Sequence, residues 1–62
     1  MFINYERLVF SDREVFKKAV RLLDKNLIDN EILDDHKVMI NSEDIDDISE
    51  LFDKNEIKFD IV

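Results

Sequence analysis

The side chains best suited to catalysis are one histidine and three serines. His36 is the only histidine and directly follows Asp35, and an imidazole beside a carboxylate is the pair that activates a serine nucleophile. Ser11 and Ser42 are better explained as residues that begin helices, and Ser49 falls within a predicted helix. Since no serine is left to complete a Ser–His–Asp set, we expect that the chain is not an enzyme.

A run of carboxylates offers oxygen ligands for a metal ion. Four of the six residues from 42 to 47 are acidic. A calcium loop, however, requires ligands at set positions and a glycine at its sharp turn, and the chain contains no glycine. Ile45 and Ile48 instead continue a helical spacing through this run. Cysteine is also absent, so we predict neither a metal site nor a cofactor.

Charge divides the chain into two unlike parts. The net charge is −7: residues 1–28 hold four acids and six bases, and residues 29–62 hold twelve acids and three bases. Nucleic-acid binding depends on lysine and arginine contacts to phosphate, and an RNA-binding sheet presents two or three aromatic residues. Tyr5 is the single aromatic candidate on the open face of the predicted sheet. We therefore expect no direct contact with nucleic acid.

Two helices are predicted from apolar residues at helical spacing. The first covers residues 12–25, and Ser11 is expected to cap it within a capping box. The second covers residues 43–54. Both end in the sequence Asp-Lys-Asn, so Asn26 and Asn55 are expected to adopt the left-handed conformation that glycine usually supplies at a helix end.

Four strand-like segments surround these helices. Residues 5–10 and 56–61 are rich in β-formers, the last being an alternating run, and residues 28–33 and 37–41 flank a turn at 34–36 that suits a hairpin. The resulting α+β order is similar to the ferredoxin-like βαββαβ fold, a two-layer sandwich with a four-stranded antiparallel sheet and both helices on one face. Because residues 28–33 include poor strand formers, a three-stranded βαβαβ sheet is the alternative.

The outer face of this sheet, turned away from the helices, is expected to be half apolar. Alternation places Ile3, Tyr5 and Val9 on that side of the first strand, and Met39 joins them from the third. A partly apolar face is a candidate contact surface. A regulatory or structural domain that forms a homodimer through these four residues is therefore one hypothesis for the function.

The acidic part of the chain supports a different hypothesis. Acids along a helix and a hairpin imitate a phosphate backbone and would be steered towards a basic protein. Very small, acidic, cysteine-free chains of this kind resemble phage-encoded inhibitors of host nucleic-acid enzymes, including anti-CRISPR and DNA-mimic proteins. We predict an inhibitor or modulator of a basic protein, such as a nucleic-acid-binding enzyme; the alternative is that the charge only maintains solubility. The expected contact residues are Asp34, Asp35, Glu43, Asp46, Asp47 and Glu50.

Length and hydropathy predict the organisation of the chain. Sixty-two residues suit one small acidic domain, residues 1–62. Its apolar runs fall short of the roughly 20 residues that span a bilayer, and its first residues lack the pattern of a signal peptide. We expect a cytoplasmic domain without a membrane partner.

Overall fold

The computed structural model describes residues 4–62, which form an α+β unit with the order β-α-β-β-α-β. The strands are β1 (Tyr5–Val9), β2 (Asn30–Ile32), β3 (Lys37–Asn41) and β4 (Asp60–Ile61). The helices are α1 (Arg13–Lys25) and α2 (Ile45–Lys54), and a single 3-10 turn, Ser42–Asp44, precedes α2. All strand pairs are antiparallel, in the order β2-β3-β1-β4. The predicted α+β class with a four-stranded antiparallel sheet is confirmed.

The second strand decides between the two predicted topologies. All three residues of β2 pair with β3, so the three-stranded alternative is wrong. The strand is shorter than the predicted segment 28–33 because its first residues belong to the end of α1. Ile28 N–H donates to Leu23 O at 2.9 Å, and the side chain of Asn30 donates to Ile28 O at 2.9 Å.

One apolar cluster lies between the helices and one face of the sheet. Leu8 is opposite Val38, and Glu6 is opposite Ile40, so the buried residues of β1 and β3 point to the same side. Both helices contribute to the cluster on that side, and they therefore cover the same face. The buried members are Leu8, Phe10, Phe16, Ala19, Leu23, Val38, Ile40, Ile48, Phe52 and Ile57.

Phenylalanine rings join the end of β1 to both helices. The Phe10 ring lies edge-on to Phe16 in α1 at 6.0 Å and to Phe52 in α2 at 5.9 Å between centroids. Phe59 packs on Phe52 at 5.5 Å. Such pairs contribute about 0.5–1.5 kcal/mol each beyond the area they bury. Phe10 therefore fixes the positions of both helices relative to the central strand.

The first helix is capped by a different residue from the one predicted. Asp12 is the N-cap, and its Oδ1 accepts a hydrogen bond from Val15 N–H at 2.9 Å. The expected capping by Ser11 is wrong. Aspartate and serine are similarly good caps, but a carboxylate also interacts favourably with the positive end of the helix dipole. The helix accordingly begins at Arg13.

The left-handed residue at each helix end lies one position later than predicted. Asn26 has φ −95° and Asn55 has φ −102°, whereas Leu27 has φ 57° and Glu56 has φ 59°. Each asparagine donates from Nδ2 to the carbonyl four residues earlier, at 2.8 Å in both helices. The asparagines therefore cap the helix with their side chains, and the following residue makes the turn.

Both turns are Schellman motifs, in which two backbone amides close the helix end. Leu27 N–H donates to Asp24 O at 3.1 Å, and Glu56 N–H donates to Asp53 O at 3.2 Å. The next residue in each case, Ile28 or Ile57, bonds five residues back. Because residues 56 and 57 complete α2, they are not available to the last strand.

The last strand is consequently shorter than the predicted segment 56–61. Ile57 is buried and Phe59 is partly buried, but both precede β4. Ile61 lies opposite Leu8, on the helix side of the sheet, and is 50% exposed. The predicted strand over residues 56–61 is therefore found only at Asp60–Ile61.

Candidate protein-binding surfaces

The predicted acidic contact residues form two separate groups. Asp34 and Asp35 lie in the β2–β3 turn. This turn is next to the end of β1, because Phe10 N–H donates a hydrogen bond to His36 O, in the last residue of the turn, at 2.9 Å. The chain enters α2 at the other end of β1, where Ser42 N–H donates to Asn4 O at 3.0 Å. At about 3.3 Å per residue, the two ends are about 20 Å apart. The hairpin and the start of α2 are thus distinct surfaces.

The α2 acidic surface consists of Glu43, Asp46, Asp47 and Glu50, all of which are exposed. In the part of the chain that the structure describes, the ion pairs join His36 to Asp35 and Lys37 to Asp34, and include none of these four acids. In the described residues, no base therefore lies within ion-pair distance of these four carboxylates. At physiological salt, their field reaches roughly 8 Å into solvent before it is screened.

Positive charge lies on the neighbouring helix. Lys18 of α1 donates from Nζ to Asn55 O, just after α2, at 3.4 Å. Asp47 and Glu50 line an open groove between α2 and the end of α1, where Ile28 and Leu51 form its apolar part. The two helices therefore present opposite charges to solvent, acids on α2 and bases on α1. The exposed bases on α1 are Arg13, Lys17, Lys18, Arg21 and Lys25.

The β2–β3 turn is ordered by its own polar side chains. Asp34 Oδ1 accepts from His36 N–H at 2.8 Å, and the His36 Nδ1 lies 2.8 Å from Asp35 Oδ1. The pKa of Asp35 is lowered below its usual value, mainly by the hydrogen bond from the His36 side chain and secondly by the charge of that imidazole. A carboxylate oxygen of Asp34, a carboxylate oxygen of Asp35 and a ring nitrogen of His36 lie within 4.8 Å of one another, as the ligands of a metal ion would. A metal ion here would have to replace the His36–Asp35 contact, so the geometry is explained by the turn itself.

The outer sheet face mixes apolar and charged side chains. Tyr5, Val9 and Met39 lie on it as predicted, while Ile3 falls outside the described residues. Tyr5 is 50% exposed, and Val9 and Met39 are partly buried. Charged neighbours separate them, which breaks up the apolar area. These neighbours are Arg7 and Lys37 from the central strands, Glu31 beside Met39, and Asp60 beside Val9.

Sequence reasoning did not single out the apolar residues at the edge of the sheet. Ile32 of β2 is 57% exposed, and the next residue, Leu33, is 43% exposed. Two adjacent apolar residues in an acid-rich segment were the available signal. They are exposed because β2 is an edge strand, and the position of β2 in the sheet is a feature of the tertiary structure.

No protein-family model, curated protein or solved structure matches the chain. Within residues 4–62, none of the helices has the length and apolar character needed to cross a membrane.

Proposed function

We propose that the chain is a non-catalytic protein-binding domain that inhibits or modulates a basic, nucleic-acid-handling protein. The observation that carries this proposal is the α2 acidic surface, whose four carboxylates lack ion-pair partners among the described residues. Such a surface attracts a positively charged partner over long range and raises the rate of encounter. The partner's lysine and arginine side chains would then occupy the place that they otherwise give to phosphates.

The uneven distribution of charge supports this function over a purely solubilising role. Acids that served only solubility would not need to be grouped. Instead, the α2 acidic surface stands next to a helix whose solvent side is basic, and the outer sheet face carries both signs. A partner would therefore be oriented as well as attracted.

We also propose that the chain has the ferredoxin-like fold. A ferredoxin-like sandwich is supported by the βαββαβ order, by the antiparallel pairing of all four strands and by the burial of both helices on one face. In such a sandwich the outer sheet face remains open. Self-association through that face is the competing function. The charged residues that lie between Tyr5, Val9 and Met39 argue against it, because they interrupt the apolar area.

The test compares two double charge reversals with the same effect on net charge. Asp46→Lys with Glu50→Lys alters the α2 acidic surface, and Glu14→Lys with Asp60→Lys alters exposed acids elsewhere; each changes the net charge from −7 to −3. The partner is a basic protein captured from extract by the wild-type chain, identified and purified. Association is then followed by stopped flow at two salt concentrations.

We expect the α2 double variant to associate at least roughly tenfold more slowly than wild type and to lose most of its salt dependence. The control should retain most of the rate. Equal loss in both variants would mean that net charge alone acts, and it would contradict the proposed surface.

A further inference from the structure

We propose that the outer edge of β2 binds an extended, lysine- or arginine-rich segment of a protein partner as a fifth strand. This inference rests on the proposed function for the charge of the partner. It names a different surface and a specific mode of recognition, the addition of a strand to a sheet edge.

The backbone of β2 has unpaired groups along its outer side. Leu33 N–H donates to Lys37 O at 2.9 Å, and Glu31 lies opposite Met39. Bonded and non-bonded pairs alternate along an antiparallel ladder, so Glu31 and Leu33 direct their groups to β3. Asn30 and Ile32 therefore direct their N–H and C=O groups away from the sheet.

The other edge of the sheet offers less. Strand β4 has two residues, and Val62 N–H donates to Arg7 O at 3.0 Å. The same alternation then leaves Ile61 as the residue of β4 with outward backbone groups. An added strand could therefore hydrogen-bond to two residues of β2, Asn30 and Ile32, but to only one residue of β4, Ile61.

Exposed apolar side chains accompany the backbone groups of β2. Ile32 is 57% exposed although it lies opposite the buried Val38, on the helix side of the sheet. Leu33, the next residue, is 43% exposed. An added strand that placed an apolar side chain beside Ile32 would extend the core by one row.

The acidic residues around β2 favour a basic segment as the added strand. Asp29, Glu31, Asp34 and Asp35 are exposed in and around β2, and among the described residues the one lysine within ion-pair distance is Lys37, 4.0 Å from Asp34. A second copy paired antiparallel at this edge would bring a second set of the same acids to face them, which is unfavourable. A segment that alternates apolar residues with lysine or arginine would instead place cations beside Glu31. A basic strand is therefore the occupant that this edge favours.

The experiment uses a synthetic peptide with alternating valine and lysine residues and follows backbone amide exchange by NMR. We expect exchange at Asn30 and Ile32 to slow at least tenfold on addition of the peptide, while Glu31, which is already bonded within the sheet, changes little. A peptide of the same composition with N-methylated valines is the control, because it keeps the charge and removes the hydrogen bonds. It should give no protection.

Two variants test the site itself. Ile32→Pro removes an outward N–H and leaves the ladder to β3 intact, and it should weaken peptide binding at least tenfold. Asp29→Lys with Glu31→Lys should do the same through charge, and it remains informative if the proline variant does not fold. Asp46→Lys with Glu50→Lys, which changes the net charge equally, should leave peptide binding at β2 within about twofold of wild type.

The outcomes separate this inference from the proposed function. If the peptide protects no amide of β2, or protects α2 instead, the β2 inference is wrong and the α2 acidic surface stands. If Asn30 and Ile32 are protected without peptide and more strongly at higher protein concentration, a second copy occupies the edge and the inference is also wrong. If neither surface responds to a basic ligand, both proposals fail.

Discussion

At the scale of single residues, Asp35 and His36 form a pair whose ionisation can be measured. The imidazole hydrogen bond lowers the pKa of Asp35 below 3.8. A carboxyl with a lowered pKa in the folded state contributes stability above its unfolded pKa, and that contribution is lost as the pH falls through the lower, folded value. This contribution is small because the side chain of Asp35 is 65% exposed.

We predict that His36→Ala returns the pKa of Asp35 towards 3.8. A carbon-detected NMR titration of the aspartate side chains measures this directly. Asp46, which lies on α2 near the other end of the sheet, serves as the internal reference carboxyl. An unaltered Asp35 curve in the variant would show that the imidazole does not stabilise the carboxylate.

Leu27 and Glu56 show how a chain without glycine ends its helices. Left-handed backbone costs a non-glycine residue roughly 1–2 kcal/mol, while glycine costs roughly 0.5–1 kcal/mol in lost freedom on folding. Leu27 is 91% exposed, so its side chain contributes little packing. The present residues therefore retain strain that glycine would relieve.

We predict that Leu27→Gly and Glu56→Gly each raise the free energy of unfolding, by up to about 1 kcal/mol. Asn26→Gly is the matched control: φ is −95° there, and the substitution removes the bond from Nδ2 to Leu22 O. It should lower stability. Urea unfolding measures all three, and stabilisation by Asn26→Gly but not by Leu27→Gly would restore the cap position predicted from the sequence.

At the scale of the elements, the start of α1 depends on a single side chain. Asp12 accepts the capping bond from Val15 N–H, and Ser11 precedes the helix. We predict that Asp12→Ala lowers the free energy of unfolding by about 1 kcal/mol, whereas Ser11→Ala changes it by less than about 0.5 kcal/mol. Chemical denaturation of the two variants distinguishes them, and the reverse order would mean that the capping box forms after all.

The two acidic groups lie at opposite ends of β3. Strand β3 runs from the hairpin turn to the start of α2, so the length of one strand separates Asp34 and Asp35 from the α2 acidic surface. A partner that met both groups would have to extend along the whole length of the sheet. The two proposals accordingly assign these surfaces separate roles, with encounter at α2 and strand addition at β2.

At the scale of the whole molecule, net charge and the outer sheet face determine whether copies associate. A charge of −7 on 62 residues makes copies repel one another. The apolar residues of the outer face are also interrupted by Arg7 and Lys37. Both features oppose a dimer through that face.

We predict that the protein sediments as a monomer at micromolar concentration in physiological salt, and that Tyr5→Glu leaves its sedimentation coefficient unchanged. Analytical ultracentrifugation of both proteins provides the measurement. A wild-type dimer that Tyr5→Glu dissociates would favour the self-associating function over the one proposed above.

Much of the fold follows from local patterns in the sequence. Apolar residues at helical spacing indicated both helices, since a helix in a small domain is stabilised mainly by burial of one side. β-rich residues placed β1 within one residue of its observed end, and β3 was predicted at residues 37–41, where it is found. The charge difference between the two parts of the chain is likewise a property of the sequence alone.

Only the tertiary structure decided where the elements end and which acids lie together. Asn30–Ile32 becomes a strand because β3 supplies its hydrogen bonds, and this pairing across the hairpin overrides the poor β-propensity of the segment. Ile57 leaves the predicted last strand because its N–H completes the end of α2. The acids of the hairpin and of α2 are close in sequence, but the length of the sheet separates them. Composition determined how much negative charge this protein carries, and strand pairing determined where that charge is presented.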